Sequence, residues 1–368
     1  MAVPFIDLRR FEDDFLTRWA EISAHVAANT QFVGGPEAAR LEERLAEACG
    51  IQHAIGCANG TDALQLALRA AGVGAGDLVL IPDATFWATF EAVVNCGARV
   101  VTVDVDLSDL QMDFELFAKA VDEYQPKAAI LVHLYGWGSA RLADFRALCR
   151  DRELPLIEDA AQAFGCKLDG KPIFEGAELA TISFYPAKVL GSCGDAGAVL
   201  ARDADTAATI RQLGNHGRTS HYGHGLIGWN SRLGGYDAAY LNLSLDYIDR
   251  RLDDRRRLAK RYHEALDGHI EMVGPPNGYE GNGYLNVCLP SIDDRERIAG
   301  HLKERGIGTG QVYPGAMSKQ PGAGEHLHAR VGGEKADELC RRVLNLPLFA
   351  YMSDDEQDEV VNAVIEAI

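Results

Sequence analysis

Apolar and polar positions follow two alternating patterns along the first two-thirds of the chain. Short apolar runs such as HAIGCAN (53–59), LVLIPD (78–83), RVVTVDVD (99–106), KAAILVHLYG (127–136) and PLIEDA (155–160) have the length of buried strands. Between them lie stretches with helical spacing: TDALQLALRAAGV (61–73), FWATFEAVVNCG (86–97) and RLADFRALCRDREL (141–154). Strands separated by helices of this length predict βαβ units and an α/β fold. The expected form is a three-layer, mostly parallel sheet with helices on both faces. After ATISFY (180–185) and GAVLAR (197–202) the pattern changes. A long charged helix near 246–266 leads into YLNVCLP, RERIAGHLKERGI and a final DDEQDEVVNAVIEAI. We therefore expect a large domain over 1–245 and a smaller C-terminal α+β domain over 246–368.

The 368 residues and 47% hydrophobic content suit a large globular unit with a smaller one attached. A net charge of −18 argues against nucleic acid or anionic membrane as a partner. No apolar run approaches a membrane span, and MAVPFIDLRRFEDDF lacks a signal-peptide core. Eight cysteines without a C-x-x-C pair fit a reduced, cytoplasmic setting. The run DRRLDDRRRLAKRYHEAL (249–266) mixes signs at helical spacing and is expected to be a solvated helix face.

In open α/β sheets the ligand crevice lies beyond the carboxyl ends of the strands, so chemistry is sought where strands end. CANGTDALQLAL (57–68) is a strand end, a turn at Asn59-Gly60 and a helix start near Thr61. Free N–H groups there suit an anion, although a plain helix cap has the same pattern. The stretch lacks the Walker spacing, and GVGAGD (72–77) precedes a strand and is a turn. PLIEDA ends in Glu158 and Asp159, whose side chains point to opposite faces; spacing alone does not choose between them. PDATFWATFEAVV puts Phe86 and Trp87 at another strand exit, where a ring can stack on a planar ligand or belong to the core. SFYPAKVLGSCGDAGAVL (183–200) carries Lys188 among Gly191, Gly194 and Gly197, which are expected to let backbone pass close to a ligand. A planar, phosphate-bearing ligand with a carbonyl that an amine attacks meets all these features, and pyridoxal 5′-phosphate is such a ligand.

With NGTDAL, PDATFWAT, EDAAQAFG, SFYPAKVLGSCGDAGA and GWNSRL in that order, the chain resembles DegT/StrS sugar aminotransferases, a branch of the fold-type I pyridoxal-phosphate enzymes. The likeness runs from PFIDL to LPLF. It implies that Lys188 is the Schiff-base lysine and that Asp159, rather than Glu158, partners the pyridine nitrogen. Gln162 would hydrogen-bond the ring hydroxyl. Gly60, Thr61 and Ser183 would hold the phosphate, with Phe86 stacked on the ring. Asn230 would reach the cofactor phosphate of a neighbouring subunit, which implies a homodimer with shared sites. Arg232, Tyr313 and His216 are the expected substrate-binding residues. The implied reaction moves an amino group from L-glutamate to a keto-sugar on a nucleoside diphosphate, giving an amino sugar for a glycan such as lipopolysaccharide O-antigen or for a secondary metabolite.

Two stretches depart from the family pattern: Val312 stands where a histidine often precedes Tyr313-Pro314, and Trp137-Gly138-Ser139-Ala140-Arg141 follows HLYG. If they line the sugar pocket, specificity is atypical. NHGRTSHYGHG (215–225) is expected to contact an anionic sugar nucleotide rather than a metal. Cys193 is expected to pack rather than react. Two alternatives keep the fold. Family dehydratases carry histidine at the position of Lys188, and a regulatory paralogue would not need Lys188, Asp159 and Gln162 together.

Overall fold

A computed structural model describes residues 2–368. Eight strands form the central sheet: β1 (His53–Cys57), β2 (Leu78–Pro82), β3 (Arg99–Val103), β4 (Ala128–Val132), β5 (Leu156–Asp159), β6 (Leu179–Ser183), β7 (Gly197–Ala201) and β8 (Leu327–Val331). Their spatial order is β1-β7-β6-β5-β4-β2-β3-β8. Only β7 runs against the others: its pairings with β1 and β6 are antiparallel, and every other pairing is parallel. All five residues of β4 and of β7 are buried. Successive side chains face opposite ways, so both faces of the sheet are covered, as the continuous apolar runs require. The α/β expectation holds.

Polar residues start the helices where the sequence places them. Asn59, Asp113 and Asp203 accept the N–H of Asp62, Leu116 and Thr206, and Ser353 closes a capping box with Glu356. Each cap ends a connection from the sheet and fixes where the following helix begins.

A second apolar core holds Leu258, Tyr262, Leu302, Val360 and Val364. It lies among the helices Ile248–Leu266, Ile292–Glu304 and Asp354–Ala367 and a short antiparallel sheet. A single cut at 245/246 does not separate the two cores. Val3 is buried in the second one, whereas β8 pairs with β3 and Met317, Ala336 and Leu339 pack in the first. The charged helix 248–266 is also less solvated than its composition predicts. Arg255 is 7% exposed, because the N-terminal segment and the loops at Gly283 and Leu348 close over that face.

Candidate active site

A cavity of about 620 Å³ opens at the carboxyl ends of β4, β5 and β6. Its lining includes Gly60, Thr61, Phe86, Asp159, Gln162, Ser183, Lys188 and Tyr313. Eight of the expected residues, scattered over 250 positions of sequence, thus share one space.

Alternation along β5 separates the two adjacent acids. Asp159 lies in the cavity, paired in register with Thr181 of β6. Its carboxylate accepts from the Thr89 hydroxyl at 3.1 Å and from the Ala161 amide at 3.2 Å. Burial pushes its pKa up; the two hydrogen bonds and the Lys188 charge oppose that shift. Glu158 turns to the other face. There it meets His133 Nε2 at 2.9 Å and takes two bonds from the Arg146 guanidinium, at 2.7 and 2.8 Å. Burial alone would raise its pKa, but His133 and Arg146 outweigh burial and hold it low. Glu158 ties helix Leu142–Asp151 to the sheet; Asp159 is the acid available to a ligand.

The helix Gly60–Ala70 begins at the cavity wall. Asn59 Oδ1 takes the Asp62 N–H at 2.8 Å, so the free amides of the first turn are those of Gly60 and Thr61. Together with the positive end of the helix and the Ser183 hydroxyl they form an anion cradle. Gly60 is required by contact: a Cβ there would sit 2.7 Å from Ser183 Cβ. Gly60→Ala should therefore lower stability by about 1–3 kcal/mol, read from denaturant melts, and weaken phosphate binding in titration.

The glycines around Lys188 serve a different purpose from the one expected. A Cβ on Gly191 would meet Pro186 O at 2.3 Å, and one on Gly197 would meet the Asn59 backbone at 2.5 Å. Neither residue lines the cavity, nor does Gly194. They allow the lysine loop to fold on itself and β7 to pass beside the anion cradle. Lys188 Nζ is 3.3 Å from Tyr284 Oη and 4.9 Å from the centre of that ring.

Gln162 holds two tyrosines. Its Oε1 accepts the Tyr135 amide and its Nε2 donates to Tyr313 Oη, both at 2.6 Å. Tyr135 and Tyr313 have φ of 62° and 66°, left-handed backbone that bulky residues seldom adopt. The strained backbone and the hydrogen bonds fix Tyr313 at the rim, with its ring 5.9 Å from that of Phe86. Trp87 instead stacks on Phe90 in the core.

Asn230, Arg232 and His216 are exposed and do not line the cavity of their own chain. Arg232 Nε donates to Asn230 at 3.0 Å, and Asn215 bridges to Asn230 across the loop. Trp137 is also away from the cavity: its indole donates to Asp109 O, and Ser139 bonds the Asp109 carboxylate. The departure after HLYG is therefore a packing feature. Cys193 is exposed rather than packed, and burial of its sulfur with the nearby Asp237 charge raises its thiol pKa to about 11, which leaves it a poor nucleophile. Cavity residues not foreseen include Thr85, Thr181, Tyr284 and Asp195. Thr181 had a signal, since it lies two residues before Ser183 and on the same strand face. Its hydroxyl is buried without a partner, a donor that a ligand would satisfy.

Known proteins match nearly the whole length of the chain. The UDP-2-acetamido-2-deoxy-3-oxo-D-glucuronate aminotransferase of Pseudomonas aeruginosa is 35% identical over 95% of this chain and 96% of its own. A pleiotropic regulatory protein of Geobacillus stearothermophilus is 33% identical over 100% of this chain and 98% of its own. The crystal structure of DesV from S. venezuelae in complex with a ketimine intermediate superposes with a TM-score of 0.93 at 34% identity, covering 99% of this chain and 98% of that one. The DegT/DnrJ/EryC1/StrS aminotransferase family model matches residues 18–365, and it is to this family that the chain belongs.

Proposed function

We propose that this protein transfers an amino group from L-glutamate, by way of pyridoxal phosphate, to the keto group of a nucleoside-diphosphate sugar. The observation that carries this reading is the shared cavity of an amine, a buried carboxylate and a helix N-terminus: Lys188, Asp159, and the amides of Gly60 and Thr61. The cofactor supplies an aldehyde that condenses with amines and a ring that accepts the electron pair left by a broken C–H bond.

The residues present suit that group. The Gly60 and Thr61 amides and the Ser183 hydroxyl bind the phosphate, and the unpartnered Thr181 hydroxyl offers a further donor. Asp159 holds a proton on the ring nitrogen, and that positive charge in turn stabilises its buried carboxylate. Phe86, on the cavity wall, would cover one face of the ring and exclude water there. Gln162, already fixed by Tyr135 and Tyr313, has a second N–H for the ring hydroxyl. Lys188 Nζ holds the cofactor between turnovers, and during turnover carries the proton taken from the donor's α-carbon. Tyr284, against Lys188, orients the amine.

Two copies of the chain complete each site. The loop 216–232 exposes Tyr222 (87%) and Ile227 (89%), and Phe32 and Val33 are half exposed close by, next to Gly234. A second copy covering this surface brings Asn230, Arg232 and His216 to its neighbour's cavity. Ile227→Asp should weaken the dimer by about 2 kcal/mol. Sedimentation would then show monomer appearing at concentrations where the native protein is dimeric, with activity falling in parallel. The product is an amino sugar for a surface glycan or a secondary metabolite, made in the cytoplasm; the eight unpaired cysteines support that setting.

A regulatory role, the one carried by the name of the Geobacillus relative, has no use for a lysine, a buried acid and an anion cradle in one cavity. A dehydratase is disfavoured by the lysine at 188. The test is the visible absorption of the purified protein with cofactor, before and after L-glutamate. A yellow band that bleaches supports the proposal; a protein that takes up no cofactor, or a band that no amino donor alters, would refute it.

A further inference from the structure

A second, smaller cavity of about 110 Å³ lies against Lys188, on the boundary between the N-terminal segment and helix Ile248–Leu266. Its charged lining is Arg10, Arg251, Arg255, Lys188 and a single carboxylate, Asp7. Two of the guanidiniums are neutralised. Arg10 bonds Asp7 at 2.9 Å and Glu356 at 2.6 Å; Arg251 makes a fork with Glu12 at 2.9 and 2.7 Å. Arg255 has no such partner among the described residues. It is 7% exposed, its Nη1 donates only to the carbonyls of Gly283 and Leu348, and its Nε is buried with no acceptor. The neighbouring acid on its own helix, Asp254, is taken by Arg257 and by the Tyr351 amide. Burial disfavours the charged form strongly enough to lower the Arg255 pKa to about 10.

A guanidinium buried without a counter-charge is among the costliest arrangements a core can hold, and such groups are normally paired. Here the missing partner has a space to occupy. The cavity volume exceeds a single water's share of about 30 Å³ severalfold and matches a carboxylate or phosphate group. In a protein with net charge −18, a local surplus of cations is also the opposite of the average surface.

We propose that this cavity, which shares Lys188 with the main one, is a small-anion site in which Arg255 holds a single carboxylate or a comparable oxyanion. Two sources share that chemistry: a carboxylate of the amino donor, and a free anion such as phosphate. An anion here also sits against the amine that performs the proton transfer, so its occupancy should alter the behaviour of Lys188.

The test uses the holoenzyme, with acetate and inorganic phosphate as probes at constant ionic strength. Saturating probe should raise the melting temperature of the native protein by about 2–4 °C. Arg255→Gln should abolish the shift, and Arg255→Lys, which keeps the charge on a smaller head, should retain part of it. A purely structural Arg255 would change the melting temperature equally with and without probe. Kinetics then separates the sources. If acetate raises KM for L-glutamate in the native enzyme and kcat is unchanged, the anion is the donor's carboxylate; if KM is unmoved while the melting shift persists, it is a free anion. No probe-dependent shift in the native protein, or an equal shift in Arg255→Gln, overturns the site. The melting shift needs no turnover, so it stands or falls separately from the transamination reading.

Discussion

Replacing Lys188 by alanine should reduce transamination by about 10⁴-fold or more, because both covalent attachment and the proton carrier are lost with one side chain. The fold should survive. Lys188 is partly exposed in the cavity, and among the described residues its side-chain hydrogen-bond partner is the Tyr284 hydroxyl at 3.3 Å. Cofactor should still bind through the anion cradle and Asp159, but should be lost on extensive dialysis against phosphate. Borohydride reduction followed by peptide mass mapping gives the clearest check. Native protein should carry the cofactor on the peptide containing Lys188, and the variant should carry none. An alanine variant with more than a few per cent of native turnover would remove Lys188 from the chemistry.

How far this site could be read from sequence depends on how local each signal is. Lys188 follows the end of β6 and Gly60 and Thr61 begin a helix just after β1, so short-range patterns expose them. The choice between Glu158 and Asp159 needs tertiary contacts. Arg146, which claims Glu158, comes from the preceding helix, and no pattern within β5 announces it. Tyr284, which touches Lys188, packs on the same large core but arrives from the segment after helix Ile248–Leu266, 96 positions away in the chain. The loop glycines were legible as glycines but not in purpose, since the atoms they accommodate belong to the Pro186 and Asn59 backbone. Arg255 failed for a related reason. Its helix is so rich in charge that periodicity assigns it to solvent, while its burial depends on segments from both ends of the chain. The α/β alternation was visible because central strands such as β4 are buried on both faces and several helices start at a polar cap, whereas β8 joins the sheet from residue 327 with only weakly buried positions.

Asp159→Asn should lower activity by roughly 10²–10³-fold, the loss characteristic of a removed electrostatic stabiliser, and yet should not destabilise the apoprotein at neutral pH. The two outcomes follow from one fact. Without cofactor the Asp159 carboxylate is buried with two hydrogen bonds and no adjacent ion pair, and burial raises its pKa above that of the unfolded chain. A carboxylate with a raised folded-state pKa costs stability once pH rises above the ordinary carboxylate range, and costs nothing when it is protonated in both states. Asparagine has no charge to bury. It can keep the Ala161 bond, and the Thr89 hydroxyl can turn to accept its amide, because either member of the Thr85–Thr89 pair can donate. Apo Asp159→Asn should therefore equal or exceed the native apoprotein in denaturant melts near neutral pH, with the difference vanishing in acid as the native carboxyl is protonated. With cofactor bound the order reverses, because only the carboxylate complements the positive charge on the ring nitrogen. The holo variant should melt below native holoenzyme and release cofactor more readily. If Asp159→Asn instead weakened the apoprotein at neutral pH and left turnover within about threefold of native, Asp159 would be a structural acid and the ring-nitrogen role would have to be reassigned.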